Sequence, residues 1–168
     1  MTVWETFLAH DGRQIDKWRH YFPIYEHHFA RFVGKSPRVL EIGVDHGGSL
    51  QLWKKYFGEG AVIIGVDNRQ SNEFFEDQIT VVIADQKAKY LKDWGPFDIV
   101  IDDGSHRTDD QEISFNNLWS KTNGVYLIED CHWGYPNIRV DNGIIFKYPW
   151  VLVMERVQRL IKGNPSRS

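Results

Sequence analysis

Five short apolar segments, separated by longer amphipathic stretches, constrain the fold of this chain more than any other feature of its sequence. A regular alternation of apolar strands and helices favours a parallel sheet that helices cover on both faces. Right-handed crossovers in a doubly wound sheet then predict the strand order 3-2-1-4-5. The five predicted strands begin at Arg38, Ala61, Ile79, Phe97 and Val125.

The 168 residues are expected to form one α/β domain, with a doubly wound, Rossmann-like core at 35–135. Residues 1–34 are predicted to form N-terminal helices, because aromatic residues there recur at steps of three and four. Residues 136–168 are predicted to form a loop and then a C-terminal helix that starts at Pro149. The apolar residues of that helix are Trp150, Val153, Met154, Val157, Leu160 and Ile161, and the helix ends at Gly163.

The composition excludes several classes of partner. A net charge of −3 gives no basic field for nucleic acid or for an anionic membrane. No apolar run is long enough to span a bilayer, and no signal-peptide pattern opens the chain. The single cysteine, Cys131, excludes an internal disulfide framework and a cysteine zinc site. A reducing cytoplasm is the expected location, and a homo-oligomer is left open.

A glycine-containing turn, residues 41–49, links the first predicted strand to its helix. Dinucleotide sites use G-x-G-x-x-G, but Asp45 stands at the second glycine position, where its carboxylate would repel a pyrophosphate. No Walker-type motif is present either. A cationic ligand without phosphate, such as S-adenosylmethionine, fits better. Asp67 could then bind ribose hydroxyls and Asp85 an adenine amino group, although either acid could instead cap a helix.

Two acidic clusters, 102–106 and 129–132, follow the fourth and fifth predicted strands. Because these strands are expected to be neighbours, their carboxylates should converge at one edge of the sheet. Several carboxylate ligands without a thiolate pair favour Mg²⁺, and a nearby imidazole favours proton transfer. His106 is the preferred base, whereas His132 could be a ligand, a second base or a substrate contact. The alternative is a pair of solvated acidic loops.

These motifs together resemble those of class I S-adenosylmethionine-dependent methyltransferases. More specifically, the chain resembles the metal-dependent sugar O-methyltransferases of macrolide antibiotic biosynthesis, the mycinamicin type, over roughly residues 15 to 135. The segments that carry the resemblance are 20–25, Glu41–Ser49, Gly65–Asp67, Asp85–Gln86, Asp102–His106 and Ile128–His132.

The resemblance implies roles for individual residues. Asp103, Glu129 and Asp130 match the magnesium ligands, and His106 matches the general base. The sheet of the family ends in an antiparallel strand pair, which this chain is expected to lack. The fifth strand would then be covered by residues 138–148 or by a second subunit. The residues assigned to the cofactor site are Glu41, Gly43, Gly47, Ser49, Asp67, Asp85, Gln86 and Asp102.

The leading hypothesis is an S-adenosylmethionine-dependent, Mg²⁺-assisted O-methyltransferase that acts on a hydroxyl of a sugar or polyol-like small molecule. A second hypothesis is a binding or assembly module that keeps the fold but lacks part of the catalytic machinery. A third is a metal-dependent hydrolase, although the glycine turn and the acids that follow the second and third strands argue against it.

Overall fold

A computed structural model describes residues 1–157, which form a mixed α/β fold around an eight-stranded sheet. The strands are β1 (Arg38–Ile42), β2 (Val62–Asp67), β3 (Phe75–Glu76), β4 (Ile79–Ile83), β5 (Phe97–Asp102), β6 (Thr122–Ile128), β7 (Gly143–Tyr148) and β8 (Val151–Arg156). Their order in the sheet is β3-β4-β2-β1-β5-β6-β8-β7. The central strands β4-β2-β1-β5-β6 are all parallel, so the predicted order 3-2-1-4-5 is confirmed.

The described residues also form four α-helices and five short 3₁₀-helices, which precede the first strand or lie between strands. The α-helices are α1 (Val3–Leu8), α2 (Phe22–Phe29), α3 (Gly48–Phe57) and α4 (Thr108–Leu118). The 3₁₀-helices are Arg19–Tyr21, Ala30–Phe32, Gln70–Asn72, Lys89–Asp93 and Trp119–Lys121. Within the described part of the chain, no helix has the length and apolar character needed to cross a membrane.

Strands β1, β5 and β6 are buried on both faces over most of their length, as their continuous apolar sequences predict. In β5, Ile99 and Ile101 pack in the cluster formed by α1, α2 and α3, which includes Trp53. Val100, whose side chain points the other way, packs in the opposite cluster with Phe115 of α4. The carboxyl ends of the parallel strands therefore meet at one edge of a rigid, two-sided core.

The expectation that the closing strand pair is absent is wrong. β8 runs antiparallel to β6, and β7 runs antiparallel to β8 at the edge of the sheet. The predicted C-terminal helix is wrong over 151–156, because Val151, Leu152 and the two residues after them are all buried, a continuous pattern that suits an inner strand. Pro149 and Trp150 form the turn between β7 and β8, and Leu160, Ile161 and Gly163 lie outside the described residues.

The element that pairs with the edge of β6 also differs from the prediction that residues 138–148 or a second subunit would shield it. The strand that pairs with β6 is β8, whereas β7, which falls within 138–148, lies one position further out. An unpaired edge beside a continuous apolar segment favours strand addition over a helix, because both faces of the segment can then be buried.

The N-terminal helices are present but shorter than the aromatic pattern predicts. Residues 11–18, which follow α1, contain neither helix nor strand, and the next helical residue is Arg19. Pro23 lies in the first turn of α2, where a missing N–H costs nothing. The non-helical segment crosses the edge of the sheet at which the carboxyl ends of the strands meet, and its residues 14–18 line a cavity there.

Candidate active site at the carboxyl ends of the strands

A cavity of about 510 Å³ opens at the carboxyl ends of β1, β2, β4, β5 and β6. This is the position at which open α/β sheets bind their ligands. The assigned residues Gly43, Ser49, Asp67, Asp85, Gln86, Asp103, His106, Glu129 and Asp130 line it. The other four assigned residues do not line the cavity. Glu41, Gly47 and Asp102 are buried behind the residues that line it, and His132 lies beside the cavity.

The glycine turn after β1 has the close packing that the sequence suggests. Gly43 has φ +87°, and a Cβ atom there would collide with the carbonyl oxygen of Asp103. A Cβ at Gly48 would collide with the carbonyl oxygen of Gln14. The turn is therefore pressed between the loop after β5 and segment 11–18, and only glycine fits at Gly43.

Asp67, at the end of β2, shapes this turn. Its Oδ2 accepts hydrogen bonds from the backbone N–H groups of Val44 (2.9 Å) and Asp45 (3.2 Å), and its Oδ1 accepts one from Arg69 (2.8 Å). Burial alone would raise the pKa of Asp67, but these backbone donors outweigh it and lower the pKa. An ionised carboxylate thus holds the turn in place beside the cavity.

Gln86 supports the loop after β5. Its Oε1 accepts a hydrogen bond from the backbone N–H of Ser105 (2.8 Å), and its Nε2 donates one to Oγ of Ser114 in α4 (2.9 Å). Asp85, the residue before it, is exposed and accepts from the backbone N–H of Lys87 (2.8 Å). Asp85 is therefore more accessible to a ligand than Gln86.

Asp103 and Asp130 lie close together, because they follow the adjacent strands β5 and β6. One oxygen of each carboxylate and one ring nitrogen of His106 all fall within 4.8 Å of one another. The Nδ1 atom of His106 is 4.0 Å from Asp103 Oδ1, and its Nε2 is 3.8 Å from Asp130 Oδ2. Three of the assigned residues thus converge on one point.

Three non-glycine residues that line the cavity have a left-handed backbone conformation. His106 has φ +60°, Asp130 φ +53° and Asp45 φ +46°. Such a conformation costs a non-glycine residue on the order of 1 kcal/mol, and it is typically found where a side chain is held for function.

Lys17, which the sequence analysis did not identify, lies among the acids. Its Nζ donates to Asp103 Oδ2 (2.6 Å), Glu129 Oε2 (2.9 Å) and Glu41 Oε1 (3.2 Å). Burial alone would lower the pKa of Lys17, but the three carboxylates raise it well above the usual value. In the sequence, Lys17 stands out only as a charged residue between the apolar Ile15 and Trp18. Such a pattern is also common in surface segments.

Two tyrosines of the N-terminal helices contact the acids after β6. Tyr21 donates to Asp130 Oδ1 (2.5 Å), and Tyr25 donates to Glu129 Oε1 (2.7 Å). Burial raises the pKa of both hydroxyls well above the usual value, so both remain donors. Glu129 is therefore held on both oxygens, by Lys17 and by Tyr25.

The donor set fits a divalent cation. Glu41, Asp103, Glu129 and Asp130 carry more negative charge than Lys17 can neutralise. Burial raises the pKa of Glu129 to about 8 and also raises that of Asp103, because the cost of burying these charges outweighs the stabilisation that Lys17 provides. The Nδ1 atom of His106 is buried and makes no hydrogen bond within the described residues. A hard cation would satisfy these carboxylates.

Asp102 and His132 occupy other positions. Asp102 is fully buried, burial raises its pKa to about 7, and Tyr126 donates to it at 3.3 Å. The ring of His132 packs on Trp150, with centroids 4.3 Å apart, and its Nε2 is 3.3 Å from Asp130 Oδ1. Trp18 also packs on Trp150, so these aromatic rings form a wall next to Asp130.

No protein-family model matches the chain. Curated relatives do match it. It is 42% identical over 137 residues to the 8-demethyl-8-(2-methoxy-alpha-L-rhamnosyl)-tetracenomycin-C 3'-O-methyltransferase of Streptomyces olivaceus, covering 71% of this chain and 35% of the relative. It is 39% identical over 131 residues to the mycinamicin VI 2''-O-methyltransferase of Micromonospora griseorubida, covering 69% of this chain and 33% of the relative. The chain thus spans about a third of the length of these relatives.

Solved structures agree with the sequence matches. The mycinamycin-pathway methyltransferase MycE, in complex with Mg, SAH and mycinamycin VI, superposes with a TM-score of 0.77 at 25% identity. The match covers 99% of this chain and 56% of MycE. A second MycE structure, in complex with Mg and SAH, gives a TM-score of 0.76 at 26% identity, over 93% of this chain and 54% of MycE.

Proposed function

Because this chain belongs to the class I S-adenosylmethionine-dependent methyltransferases, with the macrolide sugar O-methyltransferases as its relatives, we propose that it transfers a methyl group to a hydroxyl of a small sugar or polyol. The observation that carries the proposal is the convergence of Asp103, His106 and Asp130 beside a cavity whose wall contains the glycine turn. This arrangement supports a site in which a metal ion, a base and the cofactor would lie close together.

S-adenosylmethionine would bind along the glycine turn after β1, and it supplies the methyl group on a sulfonium that a nucleophilic oxygen can attack. Gly43 and its neighbours allow close approach of a ligand to the backbone. Asp67 and the exposed Asp85 provide acceptors for hydroxyl and amino groups of a nucleoside. A cavity without a phosphate-binding motif and with several acids suits a cationic cofactor.

Mg²⁺ would be held by Asp103, Glu129 and Asp130, and it lowers the pKa of a hydroxyl that binds it. Tyr21 and Tyr25 hold the two acids after β6 in position, so the ligands are fixed by residues outside the strands. Gln86 fixes the loop that carries Asp103 and His106. The chain thereby orients an acceptor oxygen and limits its motion.

His106 is the proposed base. Its ring is partly exposed, lines the cavity and lies between Asp103 and Asp130. It would accept the proton of the acceptor hydroxyl as the oxygen forms its bond to the methyl carbon and the carbon–sulfur bond breaks. A positioned base of this kind typically contributes about 10²–10⁴-fold in rate. His132, which lies beside the cavity, is the weaker candidate.

The acceptor and the location are also part of the proposal. The curated relatives are named as O-methyltransferases of a rhamnosyl tetracenomycin C and of mycinamicin VI, which supports a hydroxylated small molecule as acceptor. Cys131 is free and buried, and burial raises the pKa of its thiol to about 12, which disfavours a role as a nucleophile. We keep the cytoplasm as the proposed location and leave a homo-oligomer open.

The test is calorimetry with S-adenosylhomocysteine, with and without Mg²⁺, followed by transfer of labelled methyl to 8-demethyl-8-alpha-L-rhamnosyl tetracenomycin C and to mycinamicin VI. Cofactor binding together with metal-dependent transfer to either glycoside supports the proposal. Cofactor binding without transfer to any hydroxylated acceptor tested would favour the binding module instead. Metal binding without cofactor affinity would favour the hydrolase.

A further inference from the structure

Lys17 makes an unusual set of contacts for a residue outside the sheet. Its ammonium pairs with Glu41 of β1, Asp103 after β5 and Glu129 after β6, at 3.2, 2.6 and 2.9 Å. These are three adjacent strands, so one side chain joins acids from all of them. An ammonium has three N–H donors, and here each has its own carboxylate. The side chain is only 3% exposed, so the charge is shielded from solvent.

Segment 11–18 is anchored at its other end as well. The backbone N–H of Arg13 donates to Oε1 of Gln51 in α3 (2.8 Å), and its guanidinium lies 4.0 Å from the ring centroid of Phe74. The carbonyl oxygen of Gln14 packs directly on Gly48 of the glycine turn. The segment therefore runs from the glycine turn to the acid cluster and is anchored at both places.

We propose that Lys17 is a positioning residue of the metal site: a resident counter-cation that holds Asp103 and Glu129 together and shares their charge with the divalent ion. This inference rests on the proposed function for the existence of the metal site. Two of the three carboxylates that Lys17 contacts are the proposed ligands, so the ammonium and the divalent ion compete for the same negative charge. Lys17 therefore stabilises the metal-free protein and weakens the affinity for the metal.

The variants that test this are Lys17→Met, which removes the charge and keeps an apolar stem, and Lys17→Arg, which keeps the charge. Lys54→Met is the matched control, because Lys54 pairs with Glu76 at 2.8 Å away from the proposed ligands. Thermal unfolding is measured in EDTA. Affinities for Mg²⁺ and Mn²⁺ alone are measured by calorimetry without cofactor, so that neither readout depends on activity.

Lys17→Met is expected to lower Tm in EDTA by roughly 10 °C, because buried carboxylates lose their partner. It is also expected to bind Mn²⁺ about tenfold more tightly, because a nearby like charge has been removed. Lys17→Arg should bind Mn²⁺ like the wild type, and Lys54→Met should change neither readout by a comparable amount. If Lys17→Met does not fold without metal, the double variant Lys17→Met/Glu41→Gln, with one carboxylate fewer, gives the affinity.

Unchanged or weaker Mn²⁺ binding in Lys17→Met, with the wild type binding normally, would overturn the inference. A wild type that binds neither ion would contradict the proposed metal site instead. In that case the positioning role falls with the metal site, and a drop in Tm larger than that of Lys54→Met would show only that Lys17 stabilises the buried acids.

Discussion

The hydroxyl of Tyr25 donates a 2.7 Å hydrogen bond to Oε1 of Glu129, joining α2 to the end of β6 inside the core. Both side chains are almost completely buried. The N-terminal helices therefore do more than cover one face of the sheet, because they also fix a proposed metal ligand from the side opposite Lys17. A buried carboxylate that keeps all its donors is oriented before any ligand arrives.

Tyr25→Phe is expected to lower the free energy of unfolding by about 2 kcal/mol, because the buried carboxyl group of Glu129 loses a hydrogen-bond partner. The control is Tyr56→Phe, whose hydroxyl makes a longer bond of 3.2 Å to Glu26 at a less buried position. Urea denaturation of both variants in EDTA measures the difference. Equal losses in the two variants would show that Tyr25 does not hold Glu129 more firmly than an ordinary partner.

Asp103→Asn is expected to weaken Mg²⁺ binding by about 100-fold or more and to leave affinity for S-adenosylhomocysteine in EDTA nearly unchanged. The reason is that the amide keeps the size of the side chain but removes the charge of a proposed ligand. Calorimetry measures both affinities, and Asp93→Asn, at an exposed position, is the control. Loss of cofactor binding in a folded Asp103→Asn protein would show that metal and cofactor sites are not separate.

The sequence predicted the sheet order and the edge at which Asp103 and Asp130 meet, because both follow from strand alternation and from the rules of doubly wound folds. It did not predict Lys17, since its three partners lie 24, 86 and 112 residues away along the chain. Contacts at such separations depend on the path of segment 11–18, which has no regular pattern to interpret.

The C-terminal prediction failed for a different reason. Trp150, Val153, Met154 and Val157 match helical spacing, but Val151 and Leu152 between them are also apolar. A short continuous apolar run fits both a strand and a helix, and the free edge of β6 decides the outcome. A local sequence pattern carries no information about that edge, because β6 ends more than twenty residues before β8 begins.

Gly43→Ala is expected to destabilise the protein more than Gly58→Ala. Both glycines have a left-handed backbone, with φ +87° and +89°, which costs alanine about 1–2 kcal/mol. Gly58 has open space around a new Cβ, whereas at Gly43 the Cβ would collide with the carbonyl of Asp103 and add about 1–3 kcal/mol. Chemical denaturation of the two variants isolates the second contribution, and equal losses would mean that the loop after β5 moves freely.

His106→Asn is expected to lower the rate of methyl transfer by about 10²–10⁴-fold while S-adenosylhomocysteine still binds. His132→Asn should have a smaller effect, because the ring packs on Trp150 beside the cavity. The control is His27→Asn, at an exposed position of α2. Rates are measured with saturating cofactor on the rhamnosyl tetracenomycin acceptor. A greater loss of rate in His132→Asn than in His106→Asn would indicate that His132, and not His106, is the base.

His28 makes stability depend on pH. Its ring is fully buried, with Nδ1 2.7 Å from Glu155 Oε1 and Nε2 3.0 Å from the hydroxyl of Tyr148. Burial lowers the pKa of His28 below its usual 6.5, and the nearby His27 and Arg31 act in the same direction, against the opposing effect of Glu155. The unfolded chain therefore takes up a proton at a higher pH than the folded protein does. The free energy of unfolding consequently falls as the pH drops below about 6.5.

The measurement compares urea denaturation of the wild type and His28→Gln at several pH values from neutral to mildly acidic. Glutamine can still donate to Glu155 and accept from Tyr148, but it does not titrate. The wild type should lose stability relative to the variant as the pH falls below 6.5, at no more than about 1.4 kcal/mol per pH unit for one proton. A constant difference across the range would mean that burial does not shift the pKa of His28, and a growing advantage of the wild type would mean that Glu155 outweighs burial.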